Sequence, residues 1–207
     1  MNLLLSIKSL CALCYLATLP ALYAHTVHLE TNDGDLSSNI YAPTSLGSLT
    51  LGENLISGSI NEGGTPFNPD VFTFFVPDHL EWTGLEITVS TQGYSHFLAL
   101  DEGTTAEYDA ASLLIATLIS DASATDNILI TDADGGSFFG SGLEDSLSGK
   151  HYTLWLQETT IIPETNTYLE FDYTIKLTTV PEPSALLLIS LGSLPLVTRR
   201  SRGSVAP

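Results

Sequence analysis

Two glycine-containing turns of this sequence each contain a pair of aspartates. Residues 131–137 read TDADGGS, so that Asp132 and Asp134 stand two residues apart ahead of a glycine pair. This is half of a D-x-D-G calcium loop, without the closing Glu, and its hard oxygen ligands suit Ca²⁺. The turn at 32–35 (NDGD) has the same character. Asp132 and Asp134 are therefore candidate ligands for calcium, the only cofactor suggested; the alternative is that these turns simply close hairpins.

Side chains for nucleophilic catalysis do not occur in the settings that catalysis requires. Both cysteines, Cys11 and Cys14, lie in an apolar N-terminal stretch without the surroundings of a redox motif. The nearest approach to a G-x-S-x-G nucleophile turn is Gly140-Ser141-Gly142, which lacks the strand and helix that such a turn joins. We therefore predict no catalytic residues and a protein that is not an enzyme.

The five histidines are scattered and show no fixed metal-ligand spacing such as H-E-x-x-H. They are His25, His28, His79, His96 and His151. A chain that began at His25 could chelate copper through its amine and ring, with His28 as a second ligand. Three residues along a strand, however, put the two rings on opposite faces. Structural roles are therefore predicted for all five histidines.

Two tryptophans have side chains that could stack on a sugar ring. Trp155 lies in HYTLWLQE, which reads as a core strand, so we expect it to be buried. Trp82 lies in DHLEWTG, which reads as a turn, and is the candidate for an exposed carbohydrate-binding residue. An exposed aromatic strip that includes Trp82 would favour a carbohydrate-binding module.

The charge of the chain is strongly acidic. It has 24 Asp and Glu against 6 Lys and Arg, and a net charge of -18. All the acidic residues lie between positions 25 and 182, where Lys150 and Lys176 are the only lysines or arginines. Such a surface repels phosphate backbones, so nucleic acid is not an expected partner.

Short alternating segments separated by Gly-, Asp- and Pro-rich turns dominate residues 48–179. The segment 70–77 (DVFTFFVP) is almost wholly apolar, which suits a central strand, and 84–91 (GLEITVST) alternates with a period of two. Further strands are predicted at 48–60 with a turn at 52–54, and at 94–101, 127–131, 150–158 and 168–179; the segment 112–120 fits a strand or a short helix. The pattern predicts an all-β fold, an antiparallel β-sandwich of the jelly-roll-like or immunoglobulin-like kind. A polar arm or edge strand at 25–47 precedes it.

The two ends of the chain differ in composition from this body. Residues 1–24 combine Lys8, an apolar stretch and small residues near position 24, the layout of a secretory signal peptide. The C-terminal region contains, in order, Val180, Pro181, Glu182, Pro183, an uncharged apolar segment at 185–197, and Arg199, Arg200 and Arg202. The apolar segment is shorter than the about 20 residues of a full span, but the arginines stand where a cytoplasmic end is expected. We predict a helix at each end, with 203–207 as a short tail.

The C-terminal region, 180–202, resembles the PEP-CTERM sorting signal of exported proteins of Gram-negative bacteria. Residues 180–183 match its VPEP motif, 185–197 its hydrophobic segment and 199–202 its basic end. The resemblance implies that exosortase, a membrane enzyme, is a partner that processes the chain near the motif after transient anchoring in the inner membrane. It also implies a place at the cell surface or in the extracellular matrix, and a link to extracellular polysaccharide and biofilm.

The body resembles, less closely, the bacterial pre-peptidase C-terminal type of β-sandwich. Asp70, Phe72 and Phe74 fall near its D-x-[FY]-x-[FV] strand. A late strand near its G-x-Y-x-L-x-[IV] pattern is supplied by Gly149, Tyr152, Leu154 and Leu156, with one residue too many before the tyrosine. The resemblance implies a non-catalytic accessory domain.

Together these features predict an exported, non-catalytic surface or extracellular-matrix protein. A carbohydrate-binding module in the exopolysaccharide matrix is the first alternative. An extracellular hydrolase is the second, and it would need two carboxylates or a His-Ser pair that meet in one cleft.

Overall fold

The computed structural model describes residues 24–61, 68–91, 94–107, 109, 113–119, 127–129, 147–159, 161–162 and 167–182. The predicted signal peptide before position 24, the tail beyond Glu182 and the two terminal helices lie outside these ranges. Within them, no helix is long and apolar enough to cross a membrane.

Strands make up almost all the regular structure of the described residues, which confirms the all-β class. The strands are β1 Ala24–Leu29, β2 Thr44–Ser48, β3 Gly52–Ile60, β4 Asp70–Val76, β5 Leu80–Val89, β6 His96–Glu102, β7 Ile115–Ile119, β8 Lys150–Glu158, β9 Ile161–Ile162, β10 Thr167–Tyr168 and β11 Phe171–Pro181. One short helix, α1 Glu30–Asp33, follows β1.

The strands form two main sheets and a small hairpin. Sheet A has the order β1-β3-β11-β5, sheet B has the order β2-β4-β8-β6-β7, and β9 pairs with β10. The prediction of purely antiparallel pairing is wrong, because β1 runs parallel to β3 and β2 runs parallel to β4. Between β1 and β3 the chain crosses to sheet B to form β2, so β3 enters sheet A from the same end as β1. The segment 25–47, for which the sequence predicts a polar arm or an edge strand, contributes most of β1 and of β2, which are both edge strands.

The two sheets share one hydrophobic core. Sheet B contributes Phe74 and Tyr152, and Trp82 on β5 of sheet A packs edge-on against Phe74 with ring centroids 5.2 Å apart. The Trp82 and Tyr152 centroids lie 5.4 Å apart. Full burial of one such side chain contributes about 1.5–3 kcal/mol, so this shared core holds the two sheets together.

The other face of sheet B is covered as well. A second apolar cluster contains Val71, Trp155 and Ala116 from the strands, and Ile40 and Leu113 from the segments that pass over them. Burial on both faces explains why β4 reads as an unbroken apolar run rather than as an alternation. The expected burial of Trp155 is confirmed, since it is 7% exposed.

Some local predictions need correction. The turn predicted at 52–54 lies earlier, because β3 already begins at Gly52 and the buried Asn54 accepts the N–H of Thr50 at 2.9 Å to close the preceding bend. Gly52 has φ 105, a left-handed value that glycine adopts without strain. In the segment 127–131, predicted as a strand, residues 128 and 129 are helical. The segment 112–120 contains the strand β7.

Candidate functional site

Three carboxylates, two from the segment that follows β1 and one from the start of β4, meet where the edge of sheet A approaches sheet B. Glu30 begins α1, Asp35 follows that helix, and Asp70 begins β4. Each offers an oxygen atom, and these oxygens all lie within 4.8 Å of one another. We call Glu30, Asp35 and Asp70 the acidic cluster.

Asp70 is the buried member of the acidic cluster, with 0% of its surface exposed. Its Oδ2 accepts a hydrogen bond of 2.7 Å from the Tyr173 hydroxyl on β11, which joins the two sheets. Its Oδ1 is buried with no hydrogen-bond partner. An unsatisfied buried polar atom costs about 1–3 kcal/mol, so a proton or a cation at this oxygen would stabilise the folded chain.

The pKa of Asp70 is raised to about 8, and the main cause is burial. The hydrogen bond from Tyr173 lowers this pKa, and the charges of Glu30 and Asp35 contribute to its rise. Burial also raises the pKa of Tyr173 well above its ordinary value, with the charge of Asp70 acting in the same direction. The Tyr173 hydroxyl therefore stays protonated and remains a donor to Asp70.

Glu30 is fixed by backbone groups of its neighbours. Its Oε2 accepts the N–H of Ser59 at 2.7 Å, and its Oε1 accepts the N–H of Leu36 at 3.3 Å. Burial raises the pKa of Glu30, and these two hydrogen bonds lower it. The absence of a side chain at Gly58 makes room for this arrangement, because a Cβ there would lie 2.5 Å from Glu30 Cδ and 2.7 Å from Tyr173 Oη.

The exposed member of the acidic cluster is Asp35, whose Oδ2 accepts a hydrogen bond of 3.3 Å from Asn68 Nδ2. An open cavity of about 500 Å³ is lined by Glu30, Asp35 and Tyr173, among others. Asp70 does not line the cavity, but it contacts Glu30 and Tyr173, which do. Solvent and small ions can therefore reach the cluster from the Asp35 side.

No basic side chain of the described residues forms an ion pair with the acidic cluster. Lys176 pairs with Glu86 at 2.8 Å and with Glu53 at 3.5 Å, and Lys150 pairs with Glu102 at 2.7 Å. Three carboxylates at such short separation repel one another strongly in a buried setting. Either a shared proton or a cation can relieve that repulsion.

The sequence did not single out Glu30, Asp70 or Tyr173 as site residues. One signal was present in the strand pattern: Asp70 alternates with Phe72 and Phe74 and so belongs to the inward face of β4. A carboxylate on an apolar face requires a partner. The last residue of the oxygen-rich turn at 32–35 is Asp35 of the acidic cluster.

Six of the site residues predicted from the sequence lie outside the described ranges. Asp132 and Asp134 lie outside the described residues, as do Pro183, Arg199, Arg200 and Arg202. The expectation that Trp82 is exposed is wrong: it is 1% exposed in the core, and its Nε1 donates to the Gly84 carbonyl at 2.7 Å. The predicted turn around it is the start of β5, which turns the indole inward.

The histidines do not come together in the described structure. His28 is buried and its Nε2 lies 3.0 Å from the Gly34 carbonyl oxygen, whereas His25 is exposed. His96 is fully buried and its Nδ1 lies 2.7 Å from Glu158 Oε2. These positions provide no shared metal site for the pair considered for copper.

The first residues of the VPEP motif are part of sheet A. Val180 and Pro181 end β11, where they pair with Glu81 and Leu80 of β5. The next backbone N–H, that of Glu182, donates to the His79 carbonyl at 3.0 Å. The motif therefore begins inside the fold, because its first two residues are the last two residues of β11.

Comparison with known proteins gives limited similarity. No family model matches the chain, and no curated protein matches it. Among solved structures, the chain is similar to Salmonella Typhimurium PliG, a periplasmic inhibitor of g-type lysozyme, with 14% identity, a TM-score of 0.32, and coverage of 65% of this chain and 98% of that one. A mutant of the Escherichia coli PliG gives 13% identity, a TM-score of 0.29 and the same coverage. At such low TM-scores neither likeness extends to the fold or function of this chain.

Proposed function

We propose that this chain is an exported, non-catalytic protein of the cell surface or extracellular matrix, sorted through its C-terminal region and processed there by exosortase. The observation that supports this best is the position of the VPEP motif at the end of β11. A folded body that ends at Pro181 can be released by one cut just beyond it without losing a strand. We further propose that the two sheets form a sandwich of the jelly-roll-like or immunoglobulin-like kind.

The carbohydrate-binding alternative depended on an exposed Trp82. A tryptophan that is 1% exposed has no free ring face for a sugar. The large aromatic side chains exposed among the described residues are Tyr41 and Tyr94. Trp82 therefore no longer supports this alternative.

The hydrolase alternative required two carboxylates in one cleft, and Glu30 and Asp35 do meet beside a cavity. Both oxygens of Glu30, however, already accept backbone N–H groups. The third carboxylate, Asp70, is sealed from solvent. A general acid or base must reach its substrate, so this arrangement favours a structural role for the cluster.

The test is the intact mass of the protein recovered from outside its native cells. The proposal expects a mass that fits a start near His25 and an end near Pro183. The variant Glu182→Gln should retain the C-terminal region, because it alters the motif, whereas the control Glu170→Gln, at an exposed position before β11, should be processed normally. A wild-type mass that still includes 185–202 would refute sorting and release.

A further inference from the structure

We propose that the acidic cluster is a binding site for one divalent cation of the calcium class, and that this ion ties sheet A to sheet B. The three ligands would be carboxylate oxygens of Glu30, Asp35 and Asp70. Its ligands differ from Asp132 and Asp134, the calcium ligands predicted from the sequence, and it does not depend on how the protein is sorted.

The first argument is the orphan oxygen of Asp70. A carboxylate that is 0% exposed, with Oδ1 lacking any hydrogen-bond partner, has one of its two oxygens without compensation. An oxygen of the Asp70 carboxylate lies within 4.8 Å of oxygens of Glu30 and Asp35, which are also acidic. A cation placed among the three supplies a partner for the buried oxygen and cancels their mutual repulsion at once.

The second argument is the geometry and the type of ligand. Oxygens within 4.8 Å of one another can all contact one Ca²⁺, whose bonds to oxygen are about 2.3–2.6 Å long. All three ligands are hard carboxylate oxygens, with no imidazole or thiolate that would favour zinc or copper. Calcium takes six to eight oxygens, and the cavity beside Glu30 and Asp35 can admit the water molecules that complete its shell.

The third argument is the way the chain holds the ligands. Backbone hydrogen bonds from Ser59 and Leu36 fix the carboxylate of Glu30. The Tyr173 hydroxyl occupies one oxygen of Asp70 and leaves the other for an ion. Such support by neighbours is what orients carboxylate ligands in metal sites.

The test is calorimetric titration of the purified, chelator-treated protein with CaCl₂, and separately with MgCl₂, together with thermal unfolding at each concentration. We expect one Ca²⁺ to bind with a dissociation constant of about 10⁻⁴–10⁻³ M, the range of extracellular calcium-binding modules. Calcium should raise the unfolding temperature of the protein, and it should bind more tightly than Mg²⁺. Absence of calcium binding at ~10 mM CaCl₂, which is tenfold above the upper end of this range of dissociation constants, would overturn the proposal.

Substitutions of single acidic residues test whether calcium binds at the acidic cluster. Asp70→Asn should weaken calcium binding at least about tenfold, and Asp35→Asn, at an exposed position where folding is not at risk, should weaken it measurably. The matched control is Asp172→Asn, an exposed acid that lines the same cavity outside the acidic cluster and should leave affinity unchanged. Loss of binding in Asp132→Asn/Asp134→Asn with normal binding in Asp35→Asn would place the ion in the other turn and refute this site.

Discussion

Two buried carboxylates in this molecule are compensated in different ways. Glu158, on β8, faces His96 on the neighbouring strand β6, with Nδ1 and Oε2 2.7 Å apart and both side chains fully buried. Asp70, on β4, has the Tyr173 hydroxyl on one oxygen and two further carboxylates nearby. One acid meets a side chain that can carry a positive charge, and the other meets only negative charge and a neutral donor.

The difference follows from strand register. His96 and Glu158 are direct partners in the β6–β8 ladder, so forming sheet B automatically brings them together. The ladder partner of Asp70 is Leu156, which offers no charge. The groups that surround Asp70 come from sheet A and from the segment after β1. Strand pairing within one sheet can therefore place a basic side chain beside a buried acid, whereas the neighbours of an acid at the boundary of two sheets come from other parts of the fold.

The largest effect should come from breaking the compensated pair. His96→Leu leaves Glu158 buried without its imidazole and should lower the free energy of unfolding by about 3–5 kcal/mol. Urea unfolding monitored by fluorescence measures this. The double variant His96→Leu/Glu158→Leu should recover much of the loss, and a double variant no more stable than the single one would contradict the pairing argument.

The second effect concerns the pH dependence of Asp70 in chelated buffer. The pKa of about 8 in the folded protein lies above the ordinary value of 3.8, so the folded state holds a proton that the unfolded state has lost between these values. The contribution of Asp70 to stability therefore declines as pH rises from about 4 to about 8, by up to about 2–3 kcal/mol between pH 5.5 and 7.5.

This decline is measured as the difference between wild type and Asp70→Asn, which cancels the other titrating groups. The facing groups that set it are Glu30, Asp35 and Tyr173. If the two proteins show parallel pH profiles in chelated buffer, Asp70 does not titrate in this window and the comparison with Glu158 loses its basis.

A smaller effect is expected from the hydroxyl that serves Asp70. Tyr173→Phe keeps the ring in the core but removes the donor, so the free energy of unfolding should fall by about 1–3 kcal/mol in chelated buffer. Tyr94→Phe, at a position 42% exposed, is the matched control and should change little. Equal effects of the two variants would mean that the cross-sheet hydrogen bond does not matter.

The smallest effect is expected at the surface. Lys176 pairs with Glu86 and Glu53, and its side chain is 28% exposed. Solvent already screens these charges, so Lys176→Met should change the free energy of unfolding by only about 0–1 kcal/mol. Thermal unfolding at low and high salt measures it, and a loss as large as that of His96→Leu would show that burial is not what separates the two cases.

The local pattern was enough to predict individual strands. Residues 150–158 form β8 with the predicted bounds, and 70–77 contains β4, an interior strand between β2 and β8. These strands can be predicted from the sequence because apolar runs and alternation are properties of residues that are adjacent in the chain. The parallel edge pairs could not be predicted, because alternation does not say which sheet a strand joins.

The acidic cluster could not be predicted from the sequence for a related reason. Glu30 and Asp70 are forty positions apart, and they meet only because β1 and β4 lie in different sheets that pack together. Trp82 was misplaced because its flanking residues resemble a turn, while its burial depends on Phe74 and Tyr152 from the facing sheet. Long-range packing decides both cases.

The position of β11 has a consequence for the timing of folding. It lies between β3 and β5, and it is the only strand of sheet A that pairs with both. Until residues 171–181 arrive, β3 and β5 have no hydrogen-bonded connection, and the earlier part of the chain cannot close its core. A chain threaded through a membrane from its N-terminus would therefore complete sheet A only when the first two residues of the VPEP motif, Val180 and Pro181, had crossed.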